Sequence, residues 1–174
     1  MTTVNGLPAH VLLVHAIVVL LPLCALLVVL TAAWPAARRR LAGPNLALAA
    51  AVLVLTPVTT DAGEWLERQT PSTTALREHT ELGDTAVWAA FAVAAVALVI
   101  WWRQREAGEG RTLLPRRLLA PQSSAVTAVV TAVAVVVAGL AVYDIYRIGD
   151  SGARAAWQGR LTAVSDPGSG RPHR

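Results

Sequence analysis

The residues best able to do chemistry in this 174-residue sequence are histidines and carboxylates placed inside, or at the ends of, long apolar runs. His15 lies about one turn inside the first such run, and an ionisable group at that depth in a membrane span faces the protein interior or a cavity. That makes it a candidate ligand or proton-handling group. The competing account is a neutral imidazole bonded to a backbone carbonyl released by a proline. Pro22 has no N–H for the Val18 carbonyl, and Pro57 has none for that of Leu53. His10 precedes His15 by five residues, about 140° round a helix and about 7.5 Å along it. A helical zinc motif needs i, i+4 spacing so that both imidazoles leave one face. His10 and His15 therefore cannot share a metal while both are helical, and His10 reads equally as a ligand or as a solvated interfacial residue.

A second group of candidates lies between the second and third apolar runs. Asp61, Glu64 and Arg68 fall at i, i+3 and i+7, on one helical face, with Glu64 in the favoured orientation for pairing with Arg68. Trp65 beside Glu64 suits a membrane interface, where indole rings anchor. His79 stands four residues before Gly83, which adjoins Asp84, so that a bare glycine there would let a backbone or a flat ligand approach the imidazole. His79 and Asp84 form a candidate metal pair, weighed against an ordinary helix entry. Further on, Tyr143, Tyr146, Asp150 and Arg154 recur along one helical stripe. A carboxylate that accepts the second N–H of a ligating histidine is a common way to orient it, and Asp150 is placed for that role, with Asp61 and Glu64 as further supporting carboxylates.

These residues need elements to position them, and the composition says which. The chain is 55% hydrophobic and 15% charged, with a mean hydropathy of +0.51, against about 45–50% and 25% in soluble domains. Four apolar blocks account for the excess: Val11 to Trp34, Leu46 to about Thr60 with a start near Leu41, Thr85 to Trp102, and Ser124 to Tyr143. The first, at about 1.5 Å per residue, is long enough to cross a hydrocarbon core of about 30 Å. Backbone groups without water must bond within the segment, so each block is expected to be helical despite its valines. The expected architecture is an all-α four-helix transmembrane bundle over residues 1–160, with a disordered tail over 161–174. Between helices two and three, Arg77 to Asp84 is expected to fold back as a short amphipathic helical lid with Leu76 and Leu82 on its apolar side. The missing basic n-region and the length of the first block argue that it is retained as a helix rather than cleaved as a signal peptide.

All fifteen basic residues are arginine, and their placement predicts orientation. Eight lie in the connections between helices one and two (Arg38, Arg39, Arg40) and between three and four (Arg103, Arg105, Arg111, Arg116, Arg117), against two in the intervening loop (Arg68, Arg77) and five after the fourth block (Arg147, Arg154, Arg160, Arg171, Arg174), three of them well beyond the last span. By the positive-inside rule the Arg-rich connections face the cytoplasm and both termini lie outside. Nine of the eleven acids, together with His10, His15 and His79, then gather on the outer side. His15, His79, Asp84 and Glu64 are expected to converge there.

Several classes are excluded. One cysteine, Cys24, permits neither an intrachain disulfide nor a thiolate-cluster metal site. The arginines flank apolar blocks instead of forming a stripe interleaved with exposed aromatics, so nucleic acid is not an expected partner. No Ser-His-Asp arrangement, P-loop, Rossmann glycine pattern or HExxH is present, which argues against an enzyme with its own organic chemistry.

The order of the motifs carries a resemblance. Asn5-Gly-Leu-Pro-Ala-His10-Val-Leu-Leu-Val-His15, Thr59-Thr-Asp-Ala-Gly63-Glu-Trp, His79-Thr-Glu-Leu-Gly83-Asp84 and Gly149-Asp-Ser-Gly152-Ala resemble the bacterial membrane family called domain of unknown function 2231, nearly throughout the chain to about Trp157. Two departures stand out, Ala9 after the proline and Asp150 where the family's last element has a histidine. The resemblance implies a multi-pass bacterial cell-membrane protein that binds haem or a metal in a redox-associated role, in a lipid bilayer and with a redox membrane complex or a second copy as partner. On that reading His15 and His79 hold the cofactor, and His10, His15, His79 and Asp84 are the metal-ligand candidates. The alternatives are a non-catalytic accessory subunit whose polar cluster pins the bundle, and a small proton-coupled transporter.

Overall fold

The structure, a computed structural model, describes residues 3–4, 7–68, 73–108 and 123–165. A two-residue antiparallel ladder, β1 (Thr3–Val4) against β2 (Leu7–Pro8), pairs Thr3 with Pro8 and Val4 with Leu7. The rest is helical: α1 (Ala9–Ala33), α2 (Pro35–Glu67), α3 (Thr74–Gly83), α4 (Thr85–Gly108) and α5 (Ser124–Ser165). Among the described residues, four segments, Leu12–Ala33, Pro35–Trp65, Thr74–Ala107 and Ser124–Trp157, are long and apolar enough to cross a membrane. The all-α four-helix bundle is what the apolar blocks imply, and the short helix expected before the third block is α3, which opens the segment Thr74–Ala107 ahead of α4.

Packing follows the 3–4 spacing of small residues. Ile17, Leu21, Cys24, Ala25, Val28 and Ala32 turn one face of α1 inward. They meet Ala42, Ala49 and Val52 of α2, Ala90, Val93, Ala97 and Ile100 of α4, and Ala134, Ala138, Ala141 and Ile145 of α5. Alanine at so many core positions lets backbones approach closely, which is how helices associate where lipid removes the usual hydrophobic drive. The neighbours round the bundle are α1–α2, α2–α4, α4–α5 and α5–α1. Val19, Leu26, Val54, Trp88, Val136 and Leu140 are exposed on the outside, as apolar side chains are when lipid is the solvent.

Several boundaries differ from those read in the sequence, each for a local reason. Arg38, Arg39 and Arg40 are not a loop but the opening turns of α2, because Pro35 fits the first helical position after the single break at Trp34. The second span is consequently a 33-residue helix that carries Pro44 and Pro57 inside it. The lid begins earlier than Arg77. Thr73 caps it by accepting the Leu76 N–H at 3.2 Å, so that α3 starts at Thr74. Leu76 and Leu82 are half-buried on it. The fourth span does not stop near Tyr143. α5 runs 42 residues to Ser165, including the first five positions of the expected tail, and at about 1.5 Å per residue is roughly twice as long as a hydrocarbon core is thick. Residues 166–174, the rest of that tail, lie outside the described residues. The projecting part of α5 is the platform on which α3 packs.

Candidate functional site

A cavity of about 320 Å³ lies under α3. Its apolar walls are Val14, Ile17 and Val18 of α1, Ala86 of α4, and Ile145 and Ile148 of α5. Its polar walls are Thr56, Thr59, Thr60, Glu64, Glu67 and Arg68 of α2, and His79, Thr80 and Glu81 of α3, with Asp84 at the α3–α4 junction. The α2 threonines lie there because the core-facing stripe Ala42, Ala49, Val52 continues through Thr56 and Thr59 at the same 3–4 spacing. Each hydroxyl is turned back on its own helix: Thr56 donates to the Val52 carbonyl at 2.7 Å, Thr59 to Leu55 at 2.8 Å and Thr60 to Pro57 at 3.0 Å.

His79 is the fixed polar group of this cavity. Its Nδ1 lies 3.0 Å from the hydroxyl of buried Ser151, and that hydroxyl donates to the Ile148 carbonyl at 2.9 Å. A serine has one proton to give, so the imidazole donates through Nδ1–H to the Ser151 oxygen, and in the neutral ring Nε2 carries the lone pair. The ring lies flat against α5 at Gly152, where an added Cβ would come within 3.0 Å of the His79 Cε1. The two helices approach this closely only because Gly152 has no side chain. A looser tie joins α3 to α2, Thr80 to a Glu67 carboxylate oxygen at 3.5 Å.

The sequence-derived candidates separate on this geometry. His79, Asp84 and Glu64 share the cavity wall. His15 does not: it is exposed on α1, while its neighbours Val14, Ile17 and Val18 face the cavity. His10 has its backbone in the first turn of α1, and its side chain lies outside the described residues. Asp61 is exposed and takes no part in the wall. Glu64 pairs with Arg68 at 3.6 Å. The imidazole bond expected of Asp150 is made by Ser151 instead, and Asp150 turns to the exposed side to pair with Arg154. The close approach expected at Gly83 likewise occurs at Gly152; nothing lies within 4 Å of a Cβ added at Gly83. Tyr143 and Tyr146 are exposed. Among the described residues, no group of three or more His, Cys, Asp or Glu side chains is arranged to hold a metal ion.

Ser151 and Gly152 stand in one of the motifs that carry the resemblance but receive no role from the sequence, although a signal is present. Ala134, Ala138, Ala141, Ile145, Ile148 and then Ser151 or Gly152 keep one helical period across the end of the apolar block, so the inward face continues where the hydrophobicity stops.

Compared with the curated proteins and with the solved structures, the chain finds no match. The family of predicted membrane proteins called domain of unknown function 2231 does match, over residues 6–165, which take in every helix described above, and the chain belongs to that family.

Proposed function

We propose that the protein is a membrane-embedded binding protein whose ligand occupies the cavity under α3, with His79 as the oriented polar contact. The observation that carries this reading is the combination of an apolar-walled space of about 320 Å³, within the usual range for small-molecule sites of about 300–1,000 Å³, with one imidazole held in a defined tautomer at its wall. A surface histidine on a lid that merely covered the bundle would need neither a buried serine partner nor a glycine seat. On the positive-inside reading of the arginines this end of the bundle is extracytoplasmic, and the ligand would then enter from outside the cell or from the outer half of the bilayer.

A second reading, haem or metal binding in a redox-associated role, is favoured by the same Ser151 bond, because a ligating histidine usually gives its other N–H to a fixed acceptor. In that case His79 Nε2 would be the single protein ligand from the described wall, since His15 faces elsewhere.

Purification in a mild detergent, followed by native mass spectrometry, metal analysis and an optical spectrum, separates the two. A retained small molecule that is lost in Ile148→Trp, which fills the cavity, supports the binding protein. Equal retention in that variant overturns it. A Soret band that disappears in His79→Ala establishes the haem reading in its place.

A further inference from the structure

The hydrogen-bond bookkeeping of the cavity points to the class of its ligand, an inference that rests on the proposed binding function. The wall offers acceptors and almost no donors. Thr56, Thr59 and Thr60 have each given their proton to a backbone carbonyl, and Thr80 has three acceptors for its one proton, the Arg77 carbonyl at 3.0 Å, the Leu76 carbonyl at 3.3 Å and Glu67 at 3.5 Å. What these four hydroxyls present to the cavity is oxygen lone pairs. His79 gives Nδ1–H to Ser151, so in the neutral ring its other nitrogen is an acceptor. Glu64, Glu67, Glu81 and Asp84 add four carboxylates, of which Glu64 is engaged by Arg68 at 3.6 Å and Glu81 by Arg77 at 4.0 Å, which leaves Glu67 and Asp84 without an arginine partner among the ion pairs of the described residues.

We infer that the ligand is an organic ammonium: a protonated primary or secondary amine whose N–H groups meet this acceptor wall and whose apolar body lies against Val14, Ile17, Ile145 and Ile148. A carboxylate or a carbonyl head would bring a further acceptor to a wall already made of them. A bare metal ion would leave the apolar half of the cavity unused, and the carboxylates of the wall are spread round it without three donors converging on one point. An ammonium with a hydrocarbon body uses both halves. Charge-assisted N⁺–H···O bonds are roughly twice as strong as neutral ones, so the charged head gains over a neutral donor of the same shape.

The test uses three probes with one aromatic body and different heads: 2-phenylethylamine, 2-phenylethanol and 3-phenylpropanoate. The reporter is the full chain in detergent with Cys24→Ala and Ile148→Cys, read as protection of the new thiol from alkylation. Val14→Cys on the facing wall serves as a second reporter. Saturable protection by the amine at about tenfold lower concentration than by the alcohol, none by the carboxylate, and loss of that discrimination in Glu67→Gln/Asp84→Asn, is the expected result. Protection by the alcohol or the carboxylate as good as by the amine overturns the ammonium assignment while leaving the cavity a binding site. No protection by any probe at either thiol overturns both.

Discussion

The two ends of one helical bundle are finished in opposite ways. At the Arg-rich end the helices are sealed. α1 stops at Ala33 with carbonyls that no further helical turn satisfies, and Arg38 reaches back from the next helix to cover them, donating through Nε to Thr31 O at 2.9 Å and through its terminal nitrogen to Ala32 O. Arg103 is 3% exposed and donates to the Thr127 hydroxyl at 2.9 Å. The space between these arginines, Ile100 and Val130 is about 10 Å³, room for about one water molecule. At the α3 end the space is some thirty times larger, and it is roofed by a short helix with no buried residue of its own. The difference teaches where the polar groups are committed. At one end Arg38 covers backbone acceptors and Arg103 ties α4 to the Thr127 hydroxyl of α5; at the other, hydroxyls bond the backbone and leave carboxylates and an imidazole to face an open space.

The sharpest way to break the contrast is to deny α3 its seat. Gly152→Val places carbon where a Cβ already meets His79 Cε1 at 3.0 Å, and neither packed helix can yield easily. Overpacking of this kind costs about 1–3 kcal/mol, and here the strain falls on the contact that holds the roof. The expected outcome is loss of cavity-dependent ligand protection together with a lower melting temperature in detergent. Gly149→Ala is the matched control, since nothing lies within 4 Å of its Cβ and alanine is the better helix former by about 1 kcal/mol. It should melt slightly higher and bind normally. If both variants bind alike, Gly152 does not seat the lid.

At the closed end, Arg38→Ala uncovers the carbonyls of Thr31 and Ala32. Bonds from a charged donor contribute about 1.5–3 kcal/mol when buried, and for a half-buried guanidinium the lower figure applies, about 1.5 kcal/mol. Unfolding in mixed detergent micelles should show that loss with ligand protection unchanged. A variant that unfolds normally but loses protection would mean that the two ends are coupled, and the comparison between them would fail.

Legibility from sequence divides along the same line. The spans and the lid were legible because long apolar runs admit one backbone solution in lipid and because a polar amphipathic stretch between them has few places to lie. The starts of α4 at Thr85 and α5 at Ser124 came directly from the edges of those runs. The site was legible in part. His79, Glu64 and Asp84 reach the cavity, but His15 does not, because depth in an apolar run says that a residue lies in the membrane and not which face it occupies. The buried stripe through Ile17, Leu21, Cys24 and Val28 decides that, and it leaves His15 outside. The sequence points to Asp150, one residue from the true partner of His79, because a carboxylate is a common acceptor for an imidazole N–H; the helical period puts Ser151 on the inward face and turns Asp150 out.

Between the two ends, Asn45 is 1% exposed with neither amide atom hydrogen-bonded among the described residues. It occupies a core position of α2 on the stripe that continues through Ala49, Val52 and Thr56. A buried amide without partners costs about 1–3 kcal/mol, whereas an apolar side chain of similar size at such a site is neutral or stabilising. Asn45→Leu should therefore raise stability in mixed micelles by about 1 kcal/mol without affecting ligand protection. Destabilisation would show that the amide is bonded to water in the bundle core, and that the middle of the bundle is wetter than its sealed end.

The smallest effect belongs to the most conspicuous charges. Glu64 and Arg68 form an i, i+4 pair at 3.6 Å on the rim of the cavity, with side chains 53% and 67% exposed. Pairs this open gain little, because water screens them and because holding two long side chains in one geometry costs entropy. A double-mutant cycle through Glu64→Gln and Arg68→Gln should give a coupling of about 0.3–0.5 kcal/mol, falling toward zero at high salt as the Debye length shrinks to about 3 Å near 1 M. The same cycle repeated with 2-phenylethylamine bound is more informative. If the ammonium draws on the rim carboxylates, it competes with Arg68 for Glu64 and the coupling should fall further. A coupling above about 1 kcal/mol, or one that resists salt, would instead mean that the rim is closed to water. The α3 end would then be nearer in character to the sealed end than its open cavity implies.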